Sequence, residues 1–313
     1  MNKKKKWLSF GIPLTAGAVL LVASGFTASA GSAGYDAYKE ALKTNTNVKS
    51  VTADVSVTVS DNGAEKLNAK AKLKLDKDQG GASGSLTLGG AGTEPIAVNM
   101  YHQNEQMIVK NGKDDMYYVI DPQGAPEHEQ RRFGNHEPGW DGFPKELENV
   151  IDTLVGNVKQ QVDLDEQADG VKHISLDLTG SQIPAAVNAI GSLLIKHAGS
   201  GAQGEHNNAA GPADSIHQQL LGGEWQPQLP ELAQDVRIEA VSLDALIGKD
   251  NRIQHQTVQI KAAGKDEAGA DHTVTVTLDA GLSAYNSTSP EVIDLDNKQV
   301  VTVDPAEEWG GQQ

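Results

Sequence analysis

Apolar and polar residues alternate with a period of two over much of this chain, most regularly between residues 51 and 75. Val51, Ala53, Val55, Val57 and Val59 alternate with Thr52, Asp54, Ser56, Thr58 and Ser60, and Asp61-Asn62-Gly63 closes the run with a hairpin turn signal. Leu67, Ala69, Ala71, Leu73 and Leu75 then face one way, while Lys70, Lys72 and Lys74 face the other. Two adjacent strands this regular predict an antiparallel sheet with one covered and one wet face. Shorter strands are predicted at 82–88, 95–101, 106–110 and 116–120, punctuated by Gly89-Gly90, residues 102–105 and Asn111-Gly112. That spacing is that of a meander.

Elsewhere the period is helical. Tyr35, Tyr38 and Leu42 share one side of a short leading helix. Residues 122–140 read as a long polar surface loop. Leu147, Val150, Ile151, Leu154, Val155 and Val158 make an apolar stripe on a helix opening at Phe143-Pro144. Ile174, Leu176 and Leu178 mark a strand. The next helix, with Ser181 as its cap and Pro184 in its first turn, presents Ile183, Val187, Ile190 and Leu194. Residues 198–214 lack apolar periodicity and are expected to be a flexible loop, followed by a short helix near 215–221. Alternation returns at 236–246, 252–261 and 272–278, with closing edge strands expected at 292–295 and 300–303.

The first thirty residues obey a third pattern: Lys3 to Lys6, an apolar run over 7–26, then Ala28-Ser29-Ala30. A basic start, a hydrophobic stretch and a small-x-small site predict a secretory signal peptide over 1–30, and hence an extracytoplasmic protein, secreted or held at the outer face of the membrane. The alternative is an uncleaved anchor, since the run approaches the roughly 20 residues that span a bilayer. Gly11, Pro13, Gly17 and Gly25 weaken it as a permanent helix. The chain has no cysteine, which excludes a lipid-modified cysteine, disulfides, thiol catalysis and Cys-type zinc sites.

The two strand groups flank the middle helices, which are too few and too central to cover two separate sheets. The expected architecture is therefore α+β: one curved antiparallel sheet, an open half-barrel, with helices packed on its concave face, in a single domain over 31–313. This pattern resembles the lipoprotein-carrier superfamily typified by LolA and LppX. The residues that carry the likeness are the leading helix running into the alternating strand at Val51, the long hairpins, and Ala284-Tyr285-Asn286 with Ser289-Pro290-Glu291 before the final strands. The chain also resembles uncharacterised secreted proteins of Gram-positive spore-formers, through Tyr35-Asp36-Ala37-Tyr38-Lys39 and Gln182-Ile183-Pro184-Ala185. The carrier resemblance implies an apolar cavity between sheet and helices. Two departures from it are the missing lipobox cysteine and the helical block that divides the strands.

Charge narrows the partners. The net charge of −16, which becomes −20 once Lys3 to Lys6 are removed, repels nucleic-acid phosphate, so no nucleic-acid partner is expected. Catalytic patterns are missing too. No His-Glu-x-x-His spacing, nucleophile elbow, Ser-x-x-Lys helix start or phosphate loop occurs, and no cofactor is expected. Glu127, His128, Glu129, His136, Glu137 and Asp141 form the densest group of metal-ligand types, and Asp163, Asp165 and Asp169-Gly170 resemble a fragment of a calcium loop without its closing glutamate. Both read more simply as a solvated loop and a turn. What remains is the apolar interior, with Val150, Leu154, Val187, Ile190 and Leu194 as candidate lining for a lipid-like or amphiphilic ligand. The alternative is an ectodomain that binds an envelope protein or a wall component; in either case no enzyme is expected.

Overall fold

The computed structural model describes residues 32–112, 115–120, 158–185, 187–188, 229–230 and 232–303. Within them the chain forms one helix, α1 (Ala33–Thr46), and a sheet of twelve strands. These are β1 (Ser50–Asp61), β2 (Ala64–Asp76), β3 (Gly81–Gly90), β4 (Thr93–Gln103), β5 (Gln106–Asn111), β6 (Met116–Ile120), β7 (Asp163–Glu166), β8 (Lys172–Thr179), β9 (Gln234–Ile247), β10 (Ile253–Lys265), β11 (Asp271–Ser283) and β12 (Gln299–Val303). The spatial order is β12-β6-β5-β4-β3-β2-β1-β11-β10-β9-β8-β7. Two meanders are thus joined where β1 pairs antiparallel with β11, and the sheet is open, with β12 and β7 at its edges. The expected single curved α+β sheet is what forms.

The hairpin between β1 and β2 turns where the sequence says it should. Asn62 and Gly63 both adopt positive φ, 50° and 81°, as a two-residue turn that matches strand twist requires. Register then sorts the side chains. One cross-strand row reads Leu176, Leu243, Val258, Leu278, Val57, Ala69, Leu88, Ile96, aliphatic across eight strands. The neighbouring row on the other face reads Ser175, Asp244, Thr257, Asp279, Ser56, Lys70, Thr87. One face is therefore apolar and the other polar, as the period of two demands.

α1 covers one end of the apolar face. Tyr35, Tyr38 and Ala41 are buried with Ile174, Leu178, Ile238, Leu243 and Ile253 in the largest core cluster, over β8 to β10. Its first turn is pinned from outside. The Ser32 hydroxyl accepts the Tyr35 N–H at 3.3 Å and reaches the carbonyls of Lys159 (2.7 Å) and Val162 (2.9 Å).

Several expectations need correction. Residues 292–295 form no strand: between β11 and β12 the chain runs as a strap across the polar face, because its backbone is held by side chains rather than by a neighbouring strand. The Thr288 hydroxyl meets that of Thr52 at 2.9 Å, Glu291 N–H donates to the Ser83 hydroxyl at 2.8 Å, and the Gln103 amide both accepts from Ile293 N–H and donates to its carbonyl, each at 2.8 Å. Ile293 and Leu295 then cover Ile108, Tyr117 and Val119, and β12 pairs parallel with β6. Asp163 and Asp165 lie in β7, hairpin partner of β8, rather than in a turn. Ser181 sits inside a 3-10 turn (Gly180–Gln182), where the Gln182 side chain accepts from the Thr179 N–H and hydroxyl, so it does not cap the next helical turn. The signal segment, the helix over 143–158 except its last residue, the loop at 198–214 and the helix near 215–221 lie outside the described residues.

Candidate functional site

The candidate surface is the apolar face of the sheet beyond α1. From β1 to β6 its buried members include Val55, Val57, Ala69, Ile96, Val98 and Val109, and Leu73, Leu86, Leu88, Met100 and Met107 are half-buried. Among the described residues the only helix of more than a single turn packs on the opposite half, over β7 to β10. Of the five residues expected to line a cavity, Val187 alone is described. It is half-buried against the cluster containing Leu178, Ile183 and Ile238, and its neighbour Asn188 accepts the Ile238 N–H at 3.0 Å, which ties this turn to β9. Val150, Leu154, Ile190 and Leu194 lie outside the described residues, as does the group from Glu127 to Asp141.

Polar side chains interrupt the apolar phase, Gln256 and His102 among them, and reading the strands for residues out of character with their phase would have found both. In β10, Gln256 stands in register with Ala245 and Ala280, is 1% exposed, and accepts a hydrogen bond from the Tyr38 hydroxyl of α1 at 3.0 Å. Burial pushes the Tyr38 phenol far above the usual tyrosine range, so it remains a donor at any working pH. In β4, His102 follows Ile96, Val98 and Met100 in phase. Its Nδ1 lies 3.0 Å from the Gly80 carbonyl, while Nε2 is buried and has no hydrogen-bond partner among the described residues.

The described titratable groups do not assemble into a reaction centre. His272 at the start of β11 holds Asp61 with Nδ1 at 3.0 Å and Asp266 with Nε2 at 3.5 Å. The hydrogen bond to Asp61 raises its pKa, and both ring nitrogens are committed, leaving neither to act on a substrate. Beside it a polar cleft of about 220 Å³ is lined by Asp235, Arg237, Glu239, Lys265, Asp271 and His272. On the polar face His173 pairs with Asp244 at 2.6 Å and His255 with Asp279 at 2.7 Å, in the open. Among the described residues no group of three or more histidines and carboxylates converges as a metal site.

No protein-family profile matches the chain. Exoribonuclease 2 from each of two strains of Haemophilus influenzae is 28% identical to it over 145 residues, which is 46% of this chain. The match takes in only 19% of the length of those relatives. Among solved structures, a LolA superfamily protein from Nitrosomonas europaea is similar over 90% of this chain and 96% of its own, with 9% identity and a TM-score of 0.21. A superposition that loose carries no functional argument, so the reading of function rests on this chain's own residues.

Proposed function

We propose that the protein is a non-enzymatic, extracytoplasmic binder of an amphiphile whose apolar chain lies along the apolar face of the sheet. One observation carries this reading. The row from Leu176 to Ile96 is aliphatic through eight strands, and the half of it around Leu88 continues into half-buried Leu86, Met100 and Met107 beyond the reach of α1. Leu86, Leu88, Met100 and Met107 keep part of their apolar surface, and each Å² of it that a ligand covers contributes about 25 cal/mol; neither aromatic platforms nor charged groups stand in the row to direct another class of ligand. The basic, apolar and small-residue succession over 1–30 supports export. The net charge of −16 weighs against polyanionic partners.

Native mass spectrometry of the full chain purified from its own host, with displacement of a neutral naphthylamine dye as the second readout, tests the proposal. Bound species of lipid mass, and dye binding that Leu86→Asp abolishes without lowering thermal stability, are expected. A chain that carries no lipid and binds no dye would sink it.

A further inference from the structure

We infer that His102 anchors the head of this amphiphile and that the head is a neutral hydrogen-bond donor, such as the hydroxyl of a long-chain alcohol or a monoacylglycerol. This rests on the amphiphile reading above and adds the ligand's chemistry to it. A carbonyl oxygen only accepts, so in the neutral imidazole the 3.0 Å contact with Gly80 O places the proton on Nδ1. Nε2 then presents a lone pair, shielded from solvent and unanswered among the described residues. A buried acceptor without a donor is costly and rare in native proteins. A ligand hydroxyl satisfies it.

Position agrees with that role. His102 is the last apolar-face residue of β4, opposite Ala82 in β3 and Met107 in β5, next to the turns at 77–80 and 104–105. It therefore marks the rim of the sheet, and Met100, Val98 and Ile96 lead away from it along the same face for ~20 Å at strand rise. A head held at His102 lies at that rim, and its chain runs over half-buried Met100, Met107 and Leu86.

Charge selects the kind of head. The lysines in the paired registers of β2 and β5, Lys70, Lys72, Lys74 and Lys110, all stand on the polar face. A carboxylate or phosphate at His102 would meet no lysine of those two strands on its own face, in a molecule of net charge −16. A neutral donor meets neither penalty.

The test is displacement of the neutral naphthylamine dye from the full chain by monopalmitoylglycerol, methyl palmitate and palmitate, in the wild type, His102→Leu and His102→Gln. In the wild type the monoacylglycerol should act at about tenfold lower concentration than the methyl ester, the equivalent of one hydrogen bond. That advantage should vanish in His102→Leu and largely survive in His102→Gln, whose amide oxygen still accepts. Equal potency of alcohol and ester in the wild type, tightest binding of palmitate, or an undiminished advantage in His102→Leu would overturn the assignment and leave the amphiphile reading standing. Failure of all three lipids to displace the dye would overturn both. The wild-type comparison decides even if His102→Leu does not fold.

Discussion

His272 joins two hairpins, because its imidazole binds Asp61 at the end of β1 while Asp266 belongs to the turn that precedes its own strand. Its pKa is raised by the hydrogen bond to Asp61, above the value of about 6.5 that an unfolded histidine has. The stability this adds is complete below about pH 6.5 and is lost as pH rises through the raised folded value. The urea midpoint of the wild type should therefore fall as pH is raised from about 6 to about 8, and His272→Gln should flatten that slope. A slope that persists unchanged in the variant would assign it to other groups. Asp266 works in the opposite sense. Its pKa is lowered chiefly by accepting the Ala270 N–H, so its contribution is present above about pH 4 and lost as pH falls through the depressed value.

Among the elements, α1 depends on a glycine for closeness rather than for conformation. A Cβ on Gly34 would stand 2.6 Å from the Val162 carbonyl oxygen and 2.8 Å from that of Asp163, backbone atoms that cannot swing aside. In an isolated helix Gly→Ala stabilises by about 1 kcal/mol. Here Gly34→Ala should destabilise by about 1–3 kcal/mol, as overpacking does, and lower the urea midpoint. A raised midpoint would mean that the helix is not docked so tightly against β7. Periodicity revealed this helix and most strands, but not the strap. Val292-Ile293-Asp294-Leu295 alternates as a strand would, and only the partners of its backbone decide otherwise: Gln103 takes both polar groups of Ile293, and Val292 is left 76% exposed. The short acidic β7, Asp163-Leu164-Asp165-Glu166, suits the open edge it occupies, since clustered charge discourages pairing with another chain.

For the whole molecule the closing event is the union of β1 with β11, more than two hundred residues apart, and the strap that follows seals the polar face of the first meander. Ile108, 1% exposed, owes part of that burial to Ile293 and Leu295. A chain ended after Ser283 should lose hydrogen-exchange protection in β5 and β6 while β8 to β10 keep theirs, and equal protection in both chains would show that the strap adds nothing. The period-two pattern, the Asp61-Asn62-Gly63 turn and the helical spacing of Tyr35, Tyr38 and Leu42 determined by themselves that this protein is a two-faced antiparallel sheet with a leading helix, because those signals act between residues near in sequence. That β11 is the other neighbour of β1, where the strap lies, and that Gln256 meets Tyr38 while the Nε2 of His102 meets nothing described were decided only by the tertiary structure. Those relations join residues separated by up to about 240 positions, and the free energy that selects them comes from burial and register summed over the whole sheet, which no local window of the chain contains.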